Sequence, residues 1–176
     1  MQTKTTKLTL SGLFLALCLV LPLLTGQIPQ IGSALSPMHI PVLLCGFVCG
    51  WPYGMAIGFI APLLRGVIFG MPPIFPVGIA MAFELAAYGA LAGLFYKILP
   101  KKIINIYTAL IVSMLGGRLV WGAAMFLISR FADIEFTFKA FLSAAFVTAV
   151  PGIILHIVLI PLLVIALRKA KLMPNG

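Results

Sequence analysis

The sequence predicts an all-α integral membrane protein, a single bundle of about six transmembrane helices with both termini on the cytoplasmic side. Three observations predict it. First, 62% of the 176 residues are hydrophobic and only 9% are charged, whereas a soluble domain carries about 25% charged residues. A soluble fold of this length could not hide so much apolar surface. Second, the apolar residues fall into runs separated by Gly- and Pro-bearing stretches. Third, basic residues stand in short clusters beside those runs: Lys4 and Lys7; Lys97, Lys101 and Lys102; Arg168, Lys169 and Lys171. The length suits one domain.

The first span covers about residues 8–25, behind a basic start. It has the n-region and h-region of a signal peptide but no convincing small-x-small cleavage site, so it reads as a retained span. Residues Gly26–Pro37 (GQIPQIGSALSP) form a loop. The second span, 38–50, is short against the roughly 20 residues of a full crossing. Trp51 and Pro52 mark a tight turn into the third span, 53–69. Gly70–Pro76 (GMPPIFP) cannot be regular helix, because proline lacks the amide donor and restricts its predecessor. The fourth span is 77–96 and the fifth 103–128. A polar loop at Ser129–Thr137 leads to the sixth, 138–167.

An even number of spans puts all three basic clusters on one face, which the positive-inside rule makes cytoplasmic. The outer loops then hold a single basic residue, Arg130, with Lys139 just beyond. The net charge of +9 therefore needs no nucleic-acid partner; the partner of these clusters is the lipid bilayer and its anionic headgroups. No internal inverted repeat is evident. Small residues recur at spacing four, as Gly12 and Ala16, Gly54 and Gly58, Ala140 and Ala144. Such pairs let helices approach closely, either within the chain or against another membrane protein. Cys18, Cys45 and Cys49 sit in apolar runs with no His or carboxylate to complete a metal set, and read as small buried hydrophobes.

Ionisable groups at membrane depth are expensive and usually functional. Arg65, Glu84 and Arg118 lie inside predicted spans, each toward the outer side, and are expected to converge on an outward-opening cavity. His39, beside the outer loop, and the deeper His156 join them. Tyr88 follows Glu84 by one helical turn, and Trp121 shares a face with Arg118. Apolar and aromatic walls with a few polar groups are what a small-molecule site needs. One Glu against two Arg leaves surplus positive charge, which suits a carboxylate-bearing ligand. The plainer alternatives are a Glu–Arg pair that only locks two helices, and an Arg65 that snorkels to headgroups.

Several chemistries are excluded by missing motifs. There is no GxxxxGK[ST] phosphate loop, no HExxH and no GxSxG. No catalytic residue, metal or cofactor is predicted. An intramembrane enzyme using Glu84, His156 or His39, and a stand-alone facilitator or structural subunit, stay open as alternatives.

The chain resembles the substrate-binding S components of energy-coupling factor (ECF) transporters. The resemblance is carried by KLTLSGLFLALCLVLPLLTGQIP, SPMHIPVLLCGFVCGWPYG, APLLRGVIFGMPPIFPVGIAMAFELAAYGALAGLFY, GGRLVWG and VPGIILHIVLIPLLVIAL. It implies a vitamin importer subunit of the prokaryotic cell membrane. Such a subunit captures its vitamin outside and works with a transmembrane coupling subunit and two ABC ATPases. It places partner docking at Gly12 and Ala16, where family members usually carry two alanines. It places ligand contacts in the loop after the first helix, including Gln27, and at Glu84, Tyr88, Arg118, Trp121 and His156. It gives less weight to Arg65. Pantothenate, which bears a carboxylate, is the leading single ligand.

Overall fold

The computed structural model describes residues 3–25, 34–132, 134–170 and 173. Among them there is no strand. Helix α1 (Lys4–Val20) begins at Thr3, whose Oγ1 accepts the Thr6 amide, a good N-cap arrangement. It tightens into a 3₁₀ turn at Leu21–Thr25. Helices α2 (His39–Cys49) and α3 (Trp51–Phe69) are joined by Gly50 alone. Gly50 has φ 99° and Gly70, just past α3, has φ 69°; a side chain would strain both. The reversal therefore comes at Gly50, ahead of the Trp51–Pro52 pair expected to make it. Pro52 instead sits in the first turn of α3, where a missing amide costs nothing.

The prolines of GMPPIFP interrupt the chain as expected, and it re-enters through a wide turn at Ile74–Gly78 into α4 (Ile79–Ile98). Helix α5 (Ile103–Ala132) has 30 residues, about 45 Å of helix, against a hydrocarbon core of about 30 Å. It absorbs Ser129 and Arg130, which the sequence assigns to the outer loop. The expected span at 138–167 is instead two pieces. Helix α6 (Phe138–Leu142) runs through a wide turn at Ser143–Val147, and α7 (Val150–Lys169) starts afresh after Thr148–Ala149. Pro151 explains the break, because it cannot donate into a continuing helix but fits a first turn.

Among the described residues, five helical segments are long and apolar enough to cross a membrane: Lys4–Leu24, Trp51–Phe69, Ile74–Ile98, Ile103–Ala132 and Val150–Lys169. Helix α2 is different. Its 11 residues give about 16 Å of helix, roughly half the hydrocarbon thickness. Every one of them except Ile40 is buried. Its apolar side chains are therefore core of the bundle, while Val67, Leu119 and Leu162 on the longer helices are exposed and suit lipid contact.

Helix α4 packs against α2, α3 and α5. Glycines make the closest approaches. A Cβ on Gly58 would land on the backbone of Leu85, and one on Gly89 on the backbone of Gly54. The Gly54–Gly58 pair thus serves packing within the chain. Gly12 does not: nothing lies within 4 Å of where its Cβ would be, and both Gly12 and Ala16 are exposed.

Candidate polar ligand site

Ser36 has φ 48°, in the left-handed region. Its carbonyl accepts the His39 amide at 3.0 Å, which starts α2 with the His39 side chain inside the bundle, 2% exposed. Opposite stands α4, presenting Glu84 and Tyr88 one turn apart, both buried. Glu84 Oε1 accepts from Arg118 Nη1 on α5 at 2.9 Å and lies 3.5 Å from His39 Nε2. The Tyr88 ring meets His39 edge-on, with centroids 4.9 Å apart. His156 on α7 stacks on His39 at 5.9 Å. Four helices therefore bring His39, Glu84, Tyr88, Arg118 and His156 together.

Two glycines make this geometry possible. A Cβ at Gly117 would strike the Tyr88 ring, so the residue before Arg118 must be small for Tyr88 to lie against α5. A Cβ at Gly152 would strike the backbone of Ala34 and Leu35. The segment leading into α2 thus lies directly on α7, and the Ser36 backbone hydrogen-bonds His156. Gly117 escaped the sequence reading; its only signal is its place inside GGRLVWG.

The cluster keeps unpaired polar atoms. His39 Nδ1 and Nε2, Arg118 Nε and His156 Nε2 are buried with no hydrogen-bond partner among the described residues. Buried polar groups are nearly always paired; His39 Nε2 does approach Glu84 Oε1, at 3.5 Å, while the other three atoms have no partner among the described residues.

Not every expected residue joins. Arg65 Nη1 donates to the Leu19 carbonyl of α1 at 2.5 Å, and its guanidinium lies 5.0 Å from the Phe69 ring centroid. Held there, it ties α3 to α1 and supplies no contact to the cluster. The surplus of positive charge expected from two arginines is therefore absent: one Arg faces one Glu. Trp121 packs on Phe136 and Phe141, with centroids 5.8 and 6.2 Å away. That places it beside an apolar cleft of about 330 Å³ lined by Leu119, Phe126 and Phe138 among others. Gln27 lies outside the described residues. Cys18, Cys45 and Cys49 are free and buried. No group of three His, Cys, Asp or Glu residues among the described ones could hold a metal ion.

The model of the family described as ECF transporter, substrate-specific component, matches residues 6–164. The chain belongs to this family. It is a subunit of a transporter rather than an enzyme. The matched range of this ECF S component takes in all five cluster residues. No curated protein and no solved structure matches the chain.

Proposed function

We propose that this S component captures a vitamin or related micronutrient from outside the cell and passes it inward as the specificity subunit of an ATP-driven importer. The observation that carries the reading is the buried cluster of His39, Glu84, Tyr88, Arg118 and His156 with its unpaired polar atoms. Leaving a buried donor or acceptor unpaired costs about 1–3 kcal/mol, so a ligand that supplies partners recovers that cost on binding. Arg118 remains the natural partner for a carboxylate, and the imidazoles suit hydroxyl or amide groups. Pantothenate combines all three and is the leading candidate.

The ATP is hydrolysed by two ABC ATPases acting through a transmembrane coupling subunit, in a prokaryotic plasma membrane. Both termini face the cytoplasm. The exposed Gly12–Ala16 stripe on α1 supports docking to the coupling subunit there, since close helix approach needs small residues. Thermal-shift screening of the purified chain against a vitamin panel tests the capture step. The best ligand should lose at least about tenfold in affinity in Arg118→Lys, which keeps the charge but not the planar fork. Arg118→Ala should lose more. Unchanged affinity in both variants removes Arg118 from the site.

A further inference from the structure

The cluster sets one carboxylate against one guanidinium before any ligand arrives. A single carboxylate oxygen, Glu84 Oε1, sits between Arg118 Nη1 at 2.9 Å and His39 Nε2 at 3.5 Å. Among the described residues, the groups facing the His39–His156 pair are Glu84 and Tyr88 from α4, Arg118 from α5 and the Ser36 backbone ahead of α2. With neutral imidazoles, the sum is one cation and one anion. A ligand carboxylate entering here would leave a buried net charge of minus one, which a site of low dielectric resists strongly. Arg118 cannot relieve it alone, because Glu84 already neutralises it. The imidazoles can. His39 Nδ1 and His156 Nε2 are unpaired, and His39 Nε2 lies 3.5 Å from the shared oxygen. A proton on His39 would pair it with Glu84 and free Arg118 to fork onto the incoming carboxylate. The stacked rings, 5.9 Å apart, discourage a second positive charge.

We propose that an anionic ligand binds this site together with one proton, taken up by the His39–His156 pair. The proposal rests on the ligand-site reading above. The sign follows directly: the complex holds one more proton than the free protein, so affinity falls as pH rises. Where the free pair is neutral and the complex still holds its proton, Kd climbs about tenfold per pH unit.

Titration calorimetry of the purified full chain with pantothenate tests this, in two buffers of different ionisation heat at about pH 7.5. The expected result is a buffer-dependent heat equal to about one proton taken up, with Kd rising about tenfold from pH 7 to 8. In Glu84→Gln the ligand carboxylate balances Arg118 directly. Proton uptake should fall toward zero there, and the pH slope should flatten. The double variant His39→Gln, His156→Gln should also lose uptake. Binding by the native chain with no buffer dependence overturns the coupling and leaves the ligand site standing; that measurement decides even where a variant fails to fold. Uptake that survives in the double variant overturns the assignment to the imidazoles. If no carboxylate-bearing vitamin binds, the coupling falls; if no vitamin of the panel binds at all, the site reading falls with it.

Discussion

Gly58→Ala should loosen the bundle at the point that sets the site. The added Cβ would fall on the Leu85 backbone and 2.7 Å from the Ala86 amide nitrogen, against 3.4–4 Å for ordinary contact. Backbone atoms cannot rotate away, so α3 and α4 must part by about 1 Å, and overpacking of this kind costs about 1–3 kcal/mol. Alanine also stabilises a helix by about 0.8–1 kcal/mol relative to glycine, which masks part of the cost. Gly12→Ala gives the matched control: it makes the same change of helix propensity where nothing lies within 4 Å. The difference between the two variants should therefore be about 1–3 kcal/mol, or about 2–12 °C in Tm for a chain of this size. Cys18, Cys45 and Cys49 are at most 1% exposed, so a thiol-reactive dye reports unfolding during heating without further engineering. Glu84 precedes Leu85 and Tyr88 follows it by three residues, so ligand affinity should drop as well. If both variants melt together and bind alike, the glycine contact does not hold the site.

Two further predictions concern the exposed side of α1 and the turn between α4 and α5. Gly12→Leu should leave ligand affinity and melting nearly unchanged, since the position is exposed, while weakening co-purification with the coupling subunit; an intact complex would move the docking face elsewhere. Lys101, between α4 and α5, lies with its amine 3.7 Å from the Tyr96 ring centroid and donates to the Tyr96 carbonyl, while Arg168 donates to the Lys101 carbonyl at 2.6 Å. Burial, and then Arg168, hold its pKa below the ordinary 10.5. Between that lowered value and 10.5 the unfolded chain binds the proton better, so stability from this group rises with pH through the window. Lys101→Met should flatten that alkaline rise in melts taken at pH values below 10.5; an unaltered profile would show that burial of Lys101 is not felt.

Much of the fold was legible because lipid imposes simple demands. Runs of apolar residues, punctuated by GMPPIFP and by Gly50, gave helices α1, α3, α4 and α5 nearly where they lie. The break at Thr148–Ala149 was harder to read. A proline in a first turn, such as Pro151, and one inside a helix, such as Pro161, look alike in sequence. The extension of α5 to Ala132 was hidden for a related reason: polar residues such as Ser129 and Arg130 mark the edge of the apolar run, and the helix has no need to stop there.

The site was legible in its residues and not in its pairings. Charged groups inside apolar runs stand out, so Glu84, Arg118, His39 and His156 could all be named. Their depth along the chain suggested that Arg65 would meet them, but depth carries no information about azimuth. Arg65 turns toward the Leu19 carbonyl instead, and that one rotation changes the electrostatics from a cationic pocket to a balanced one. What places the remaining groups together is the shortness of α2. A helix of about 16 Å fills only part of a column about 30 Å deep, and its first residue, His39, therefore enters the bundle at the level of Glu84 rather than at the membrane surface. The chain segment that would otherwise extend α2 lies on Gly152. A full-length second span would put helix where that segment now rests, and His39 would no longer stand at the level of Glu84.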